Sequence, residues 1–299
     1  MRSAPCEALR KQGYQFFSPD SSAALKPCMW CKRALAGGDM CYKHQFYGIA
    51  SHRCVQMTPT LRCNQRCRFC WRSFEHEVGE EEESSPAMIL AGIQKLQKKA
   101  LAGYNAVLDN TVTDERWQEA LVPKHVAISL SGEPTLYRQL PELVDLFNQN
   151  GYTTFLVSNG TNPDVLERCN PYQMYVSLDA PDEETYLSLC RPLEDYWHEV
   201  QKSLSLLKSR RSAVRITLVK GLNDFLPERY AALLQDSGPL YVEVKGYMYL
   251  GYSRNRLKRE NMPEHEHVRS FAEKIAAACD YRIKDENVLS RVVCLEREI

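Results

Sequence analysis

The sequence has no apolar run that approaches the roughly 18 residues needed to cross a membrane as a helix. The opening stretch, MRSAPCEALRKQGYQ, has no apolar core of the kind that makes a secretion signal. Net charge is absent as well, because 38 Lys and Arg residues balance 38 Asp and Glu residues. With 44% hydrophobic and 25% charged residues among 299, the composition is typical of a globular protein. We therefore expect a cytoplasmic protein without a membrane partner.

Acidic residues are also scarce in one part of the chain, so the zero net charge hides an uneven distribution of charge. From Lys26 to Arg72 there are nine Lys and Arg residues and one acid, Asp39. The stretch from Glu75 to Glu83 then carries six glutamates. A basic surface suits an anionic partner, whereas an acidic run is more often a solvated loop. The neutral total therefore does not exclude nucleic acid as a partner.

Cysteine is plentiful, and twelve cysteines without an export signal favour metal ligation over disulfides. Cys63, Cys67 and Cys70 follow a Cys-x3-Cys-x2-Cys spacing, with Phe69 just before the last thiol. Three thiolates within eight residues can hold a four-iron cluster and leave its fourth iron open, which is typical of reactive metal sites. A zinc site is the alternative, but zinc sites usually pair cysteines as Cys-x2-Cys.

A second cysteine pattern lies upstream, where Cys28, Cys41 and Cys54 recur every thirteen residues. This step matches neither a helical nor a strand period, so we expect the three thiols to converge through loops. Cys31 forms a Cys-x2-Cys pair with Cys28, which leaves a four-cysteine zinc site open as the alternative. Five other cysteines lack ligand spacing and are expected to be small buried side chains: Cys6, Cys169, Cys190, Cys279 and Cys294.

The rest of the chain alternates β-rich and helical stretches, which predicts a parallel sheet covered by helices. The expected strands cover residues 55–60, 125–130, 153–158, 174–178, 214–219 and 240–244. The expected helices cover residues 86–102, 137–149, 183–189, 195–209, 228–235 and 265–279. Six such units fall short of the eight that close a TIM barrel, and barrel sites lie where strands end. The predicted domains are residues 1–54, 55–280 and 281–299, the last an edge segment.

The segment Cys63-x3-Cys67-x-Phe69-Cys70 resembles the signature of the radical S-adenosylmethionine (SAM) enzymes. The resemblance implies an α/β fold, an open (β/α)6 partial TIM-like barrel behind an N-terminal cysteine-rich extension. It implies a 4Fe–4S cluster on the three cysteines, with SAM chelated by the open iron and Phe69 near the adenine. One electron passed to the sulfonium would yield a 5′-deoxyadenosyl radical.

Loop residues after the predicted strands extend this resemblance. Ser131-Gly132-Glu133-Pro134 resembles the GGEP segment of radical SAM enzymes, which implies that Gly132 and Glu133 hold the methionine ammonium. Asn159, Ser177 and Asp179 are candidate contacts to the ribose and carboxylate of SAM. Each segment alone could be an ordinary turn, and the evidence comes from the set.

The upstream cysteines, the Ser-Gly-Glu-Pro segment and the stretch VKGYMYLGYSR narrow the match to archaeal tRNA 4-demethylwyosine synthases. That resemblance implies a second 4Fe–4S cluster on Cys28, Cys41 and Cys54. It also implies that N1-methylguanosine-37 in the anticodon loop of tRNA-Phe is condensed with pyruvate, after hydrogen abstraction from the N1-methyl group. We expect a monomer served by a separate flavodoxin-type or ferredoxin-type electron donor. Two alternatives stay open: a two-cluster radical SAM enzyme with a small-molecule substrate, and a non-catalytic, metal-stabilised RNA-binding protein.

Lys43, two residues after Cys41, is the candidate catalytic residue. A lysine beside an open iron can pair with the pyruvate carboxylate, or form a Schiff base if burial lowers its pKa. A surface lysine that contacts phosphate is the alternative.

The candidate RNA contacts come from the stretch around residues 246–259, which contains no acid. Cations there would meet phosphates and an aromatic ring would stack on a base, although a solvated charged loop is the alternative. The candidates are Lys245, Tyr252, Arg254, Arg256, Lys258 and Arg259.

Overall fold

The computed structural model of the chain describes residues 4–74, 82–107 and 113–298. Most of the expected acidic loop, residues 75–81, and the side chain of Cys6 lie outside the described residues. The chain forms two compact units. The first comprises Met1–Arg62, His76–Val157 and Arg168–Tyr172, and the second comprises Cys63–Glu75, Ser158–Glu167 and Gln173–Ile299. In the described part, no helix is both long and apolar enough to span a bilayer.

The first unit contains three parallel strands preceded by a short antiparallel edge. Its elements are α1 (Ala4–Lys11), β1 (Gln15–Phe16), β2 (Ala24–Leu25), α2 (Met29–Leu35), α3 (Tyr42–Tyr47), a 3₁₀ turn (Ser51–Arg53), β3 (Cys54–Thr58), α4 (Pro86–Val107), α5 (Asp114–Leu121), β4 (His125–Ile128), a 3₁₀ turn (Pro134–Leu136), α6 (Leu140–Gln149) and β5 (Thr153–Ser158). Strands β3, β4 and β5 are parallel, whereas β1, β2 and β3 pair antiparallel. The centre of β4 is buried on both faces, as expected of a parallel strand covered by helices.

The second unit repeats the pattern and ends in an antiparallel hairpin. Its elements are α7 (Pro163–Arg168), β6 (Gln173–Ser177), α8 (Glu183–Cys190), α9 (Trp197–Ser205), β7 (Ser212–Leu218), α10 (Pro227–Ser237), β8 (Tyr241–Gly246), two 3₁₀ turns (Gly251–Asn255 and Arg259–Asn261), α11 (His265–Ala276), β9 (Tyr281–Asn287) and β10 (Val292–Arg297). Strands β6, β7 and β8 are parallel, and β10 lies antiparallel between β8 and β9. The hairpin of β9 and β10 pairs with β8, so the parallel strands of this unit end at an antiparallel edge.

The six predicted parallel strands are confirmed, three in each unit, and so is the α/β fold class. Strand ends differ from the prediction by two residues at most. The helix expected from residue 137 begins at Leu140, because Pro134–Leu136 forms a separate 3₁₀ turn. Helices α2, α3, α5 and α7 were not predicted, since six to eight residues carry too little periodicity. The predicted domain limits stay a prediction.

Candidate functional site

The three thiols of the SAM-type motif lie in one loop of the second unit, residues 63–70, called here the cluster loop. Its backbone is held by the C-terminal end of α8, where the Arg68 N–H donates to the Leu189 carbonyl at 2.9 Å. The Arg66 N–H donates to the carbonyl of Cys190 at 3.1 Å. The last carbonyls of a helix have no partner within the helix, so the loop satisfies them. The cluster loop is therefore fixed without regular secondary structure of its own.

The cluster loop presents thiols in a state that suits metal ligation. Cys63, Cys67 and Cys70 are all half-buried free thiols. A hydrogen bond with Cys190, together with burial, raises the pKa of Cys67 well above its usual range. A cation that binds such thiols displaces their protons and compensates the cost of burying thiolate charge. Three thiols on one loop are the donor chemistry of a thiolate-ligated iron cluster, although the described residues contain no group of three such side chains already converged on one point.

Three of the predicted SAM contacts come together beside this loop. Asn159, Ser177 and Asp179 line one narrow pocket of the second unit. The same pocket is lined by Gln65, Tyr186, Cys190 and Trp197, which the sequence did not indicate. Cys190 is buried, as predicted, but it carried no spacing signal for a place in this pocket.

Asn159 is hydrogen-bonded to the cluster loop within the second unit. Its Nδ2 donates to Asn64 Oδ1 at 2.9 Å, and its Oδ1 accepts from the Thr161 hydroxyl at 2.8 Å. Asn64 Nδ2 in turn donates to that hydroxyl at 2.8 Å. The position of Asn64 between two cluster cysteines is the signal that could have identified it.

Asp179 is a buried carboxyl group at the end of β6. Burial raises its pKa to about 6, although the Thr217 N–H donates to its Oδ1 at 2.6 Å and acts in the opposite direction. Asn223 Nδ2 donates to the Asp179 backbone carbonyl at 2.8 Å. These bonds hold the carboxyl group at the strand end, in the pocket described above.

Phe69 packs on an apolar cluster of the second unit. That cluster consists of Leu189, Val219, Tyr247 and Leu257. The ring is therefore held by neighbouring side chains, and its contact with an adenine stays a prediction.

Gly132 and Glu133 follow β4 in the first unit, at the carboxyl end of a strand. Gly132 has a φ of +68°, and a Cβ there would overlap the carbonyl oxygens of Thr60 and Arg62. The Glu133 N–H donates to the Arg62 carbonyl at 2.7 Å. The Glu133 carboxylate is buried and accepts from the Thr135 hydroxyl at 2.8 Å. Only glycine allows the backbone to approach this closely. The close approach fixes the Glu133 carboxylate, a group that can accept hydrogen bonds from an ammonium group.

Replacing Gly132 with Ala should destabilise the protein far more than replacing Gly151. Both glycines have positive φ, but no atom lies within 4 Å of a Cβ built on Gly151. Gly151→Ala should cost about 1 kcal/mol of unfolding free energy, the strain of the left-handed conformation. Gly132→Ala should cost several times more, because backbone oxygens must move. Urea unfolding measures both, and equal costs would contradict the close approach.

The second cysteine set lies in the first unit, on secondary structure that was not predicted. Cys28 caps α2, and its sulfur accepts from the Cys31 N–H at 3.3 Å. Cys41 is the N-cap residue of α3, and its N–H donates to Ser51 Oγ at 2.9 Å. Cys54 begins β3. The three cysteines therefore lie at the beginnings of two short helices and a strand, where only loops were expected.

The charges of these residues act on one another's pKa values. Burial raises the pKa of Cys54, the negative charge of Cys28 adds to this, and the positive charge of Lys43 opposes it. Burial likewise raises the pKa of Cys28, with Lys43 among the groups that lower it. Buried thiols beside one another suit a cationic metal centre. Cys41 also acts on Cys54, so all three x12-spaced cysteines belong to the group.

Cys31 differs from the other three thiols of this region. It is fully buried and packs with Leu35, Leu101 and Ala120, whereas Cys28, Cys41 and Cys54 are half-buried. The Cys31 side chain is part of an apolar cluster. Cys28 packs against the same cluster, and burial together with the negative charges of Cys28 and Cys54 raises the pKa of Cys31, so both the three-cysteine set and the four-cysteine zinc site stay predictions.

Lys43 is buried beside these thiols, with 8% of its surface exposed. Its Nζ lies 5.1 Å from the centre of the Phe155 ring, within the range of a cation–π contact. The alternative of a surface lysine is therefore wrong. Its charge acts on Cys28 and Cys54, and its chemical role stays a prediction.

The six candidate RNA contacts do not share one environment. Arg254, Lys258 and Arg259 are exposed, and Tyr252 is half-buried. Lys245 Nζ donates to the Ser290 carbonyl at 2.7 Å.

Arg256 has the most distinct position of the six. Its Nη2 donates to the backbone carbonyls of Cys70 at 2.5 Å and Arg72 at 3.1 Å. Charge and spacing in the sequence could not separate Arg256 from its exposed neighbours.

Comparisons with known proteins agree along the whole chain. The radical SAM superfamily model matches residues 57–234, and the model for wyosine base formation matches residues 236–297. The SAM-dependent tRNA 4-demethylwyosine synthase of Methanocaldococcus jannaschii is 40% identical, over 97% of this chain and 94% of the relative. The synthase of the same name from Pyrococcus horikoshii is 45% identical, over 98% and 88%.

Two solved structures are similar over nearly their full length. A structure of TYW1 with a bound lysine–pyruvate adduct has a TM-score of 0.91 and 38% identity, covering 100% of this chain and 97% of that one. A crystal structure of archaeal TYW1 has a TM-score of 0.82 and 34% identity, covering 99% and 96%.

Proposed function

Because the chain belongs to the radical SAM family of tRNA 4-demethylwyosine synthases, we propose that it condenses N1-methylguanosine-37 of tRNA-Phe with pyruvate. The observation that carries the proposal is the buried Lys43 beside Cys28, Cys41 and Cys54. Membership of an enzyme family rules out a non-catalytic RNA-binding protein. The family match also favours tRNA over the small-molecule alternative, since the relatives are named as tRNA-modifying enzymes over most of this chain.

In the second unit, Cys63, Cys67 and Cys70 would hold the SAM cluster. The cluster and SAM, when bound, supply the 5′-deoxyadenosyl radical that abstracts a hydrogen from the N1-methyl group. Phe69 would contact the adenine, and the pocket formed by Asn159, Ser177 and Asp179 would orient the ribose and carboxylate.

In the first unit, Gly132 and Glu133 would receive the methionine ammonium of SAM. The Glu133 carboxylate is buried and hydrogen-bonded to Thr135, so it is fixed before SAM binds. A fixed carboxylate and backbone carbonyls are the acceptors that an ammonium group prefers.

Lys43 would act on pyruvate near a second 4Fe–4S cluster held by Cys28, Cys41 and Cys54. Its neutral amine attacks the keto carbon, water leaves, and a carbon–nitrogen double bond forms between Nζ and that carbon. The imine holds the two carbons to be added. Support comes from the similar TYW1 structure described with a lysine–pyruvate adduct. Contact with the Phe155 ring keeps Nζ beside the thiols rather than in solvent.

Exposed cations of the second unit would contact the anticodon loop. Arg254, Lys258 and Arg259 would meet phosphates, while Tyr252 would stack on a base. The electron would come from a separate flavodoxin-type or ferredoxin-type donor.

The iron content should reveal two clusters with separate ligand sets. Anaerobically reconstituted protein should contain about eight irons, the content of two 4Fe–4S cubes. Replacing Cys63, Cys67 and Cys70 together with Ala should remove about half of this iron and all SAM cleavage. Cys31→Ala is the matched control, because Cys31 packs in an apolar cluster and should leave the iron content unchanged. SAM cleavage by the triple variant would contradict the ligand assignment. Iron loss in Cys31→Ala would show that Cys31 belongs to the ligand set.

Lys43→Ala should abolish the pyruvate chemistry and leave the other measured properties unchanged. The variant should keep its iron, its tRNA binding and uncoupled SAM cleavage, yet form no tricyclic base. Borohydride reduction with labelled pyruvate should label the wild-type peptide that contains Lys43, since it reduces an imine to a stable amine. Mass spectrometry of the peptides and of tRNA-Phe measures both results.

Lys32→Ala provides the control for Lys43→Ala. The Lys32 ammonium also lies over an aromatic ring, that of Tyr104, at 4.6 Å. The variant should form product and retain the label on Lys43. Label on Lys220 or Lys245 instead would reassign the nucleophile. Normal product from Lys43→Ala would remove its chemical role.

Charge removal at the exposed cations should weaken tRNA binding. A variant with Ala at Arg254, Lys258 and Arg259 should show a salt dependence whose logarithmic slope falls by about one for each lost phosphate contact. A control variant with Ala at three exposed lysines of the same unit should bind like wild type: Lys202, Lys208 and Lys274. Filter binding at several salt concentrations measures the slope. An equal slope in both variants would show that the segment is only a solvated charged loop.

A further inference from the structure

Two arginines hold the two ends of the cluster loop. Arg66 Nη1 donates to the carbonyl of Cys63 at 2.7 Å, at the beginning of the loop. Arg256 Nη2 donates to the carbonyl of Cys70 at 2.5 Å, at its end. Both guanidinium groups lie over the ring of Phe74, at 5.6 Å and 4.1 Å from its centre. Arg66, within the loop, therefore holds its first cysteine, and Arg256, distant in sequence, holds its last.

A short segment around Arg256 contacts three successive carbonyls at the end of the loop. Arg256 also donates to the Arg72 carbonyl at 3.1 Å, and the Tyr252 N–H donates to the Trp71 carbonyl at 2.9 Å. Gly251 has a φ of +60°, and a Cβ there would overlap that same Trp71 oxygen. We call residues 251–256 the loop clamp.

The loop clamp is itself rigid. The buried Ser253 hydroxyl donates to the Leu250 carbonyl at 2.6 Å and is hydrogen-bonded to the Tyr247 hydroxyl at 2.8 Å. Leu257, just after the clamp, packs in the apolar cluster that also contacts Phe69. A rigid turn passes a displacement on to its partners instead of absorbing it.

We propose that Arg256 is a positioning residue for the cluster loop, and that the loop clamp links tRNA binding to the order of that loop. The second part rests on the proposed function, because it takes Arg254, Lys258 and Arg259 as the tRNA contacts. These exposed cations lie within or just after the clamp. RNA that binds the docked clamp more tightly than an undocked one stabilises docking, and with it the positions of Cys70 and Trp71. SAM cleavage is thereby favoured when the tRNA is in place.

Hydrogen exchange on the anaerobically reconstituted full chain tests the positioning role. Without tRNA, Arg256→Ala should speed exchange of the amides of Arg68, Cys70 and Tyr252 about tenfold, because charged hydrogen bonds to two carbonyls are lost. Arg256→Lys keeps the positive charge and one donor nitrogen, so it should recover part of the protection from hydrogen exchange. Asn255→Ala, an exposed position in the same turn, should exchange like wild type. Wild-type exchange in Arg256→Ala, or faster exchange in Asn255→Ala, would overturn the role.

Gly251 offers a second, independent variant. Gly251→Ala should speed exchange in the cluster loop as Arg256→Ala does, since the added methyl displaces the Trp71 carbonyl. Gly221→Ala shares the positive φ, at +77°, but no atom lies within 4 Å of its Cβ. That control should leave the cluster loop unchanged. Equal exchange in both glycine variants would overturn the close contact.

Adding tRNA-Phe that carries N1-methylguanosine tests the link to RNA. It should slow exchange of the cluster loop in wild type and slow it less in Arg256→Ala, whose tRNA affinity should fall only as far as its docked fraction falls. Lost affinity with normal exchange would make Arg256 an RNA contact and overturn its positioning role. Wild type that binds tRNA without any change in exchange would overturn the link. Wild type that binds no tRNA would sink the proposed function and the link together, while the RNA-free exchange still decides the role of Arg256.

Discussion

Hydrogen bonding of an irregular backbone is the constraint on which the second unit depends. The cluster loop has no helix or strand that would satisfy its polar groups, yet it must hold three thiols in fixed positions. The end of α8 accepts from its N–H groups, and two arginine side chains donate to its first and last cysteine carbonyls. A reactive centre is precise only when neighbouring groups fix its first contacts. Here those groups come from a helix end and from a segment near the chain's C-terminal strands.

Burial of ionisable groups is the matching constraint in the first unit. Thiols and an amine are removed from water together, and burial raises the pKa of Cys28 and of Cys54. Burying these ionisable groups costs free energy of folding unless a cation binds the thiolates or the charges compensate one another. Lys43 opposes the pKa shifts of both thiols, so the amine and these thiols are electrostatically linked. The same closeness that makes Lys43 compatible with its neighbours would place it next to a small anionic substrate.

Sequence patterns predicted the repeating part of the fold. The six parallel strands were visible because each is a short β-rich run that ends in a polar loop, whereas the ligand groups that the thiol spacings indicate stay a prediction. Contacts made by single residues far apart in the chain were not visible. Arg256 looked like Arg254 because both are cations in an acid-free stretch, and only the folded chain shows that Arg256 packs on Phe74 and donates to the Cys70 and Arg72 carbonyls. Cys190 carried no spacing signal, since its relation to Cys67 exists only after the loop meets the end of α8.

The shortness of α2 and α3 has a consequence for how the protein matures. These helices have seven and six residues, and isolated helices below about 12 residues are marginal in water. Their order must come from contacts such as the packing of Leu35 against Leu101 and from whatever binds Cys28 and Cys41 at their first turns. Loading of iron would then be a folding step for this segment, because ligation joins two helices too short to persist alone. Lys43, the second residue of α3, would then be held in place only once the segment has bound its metal.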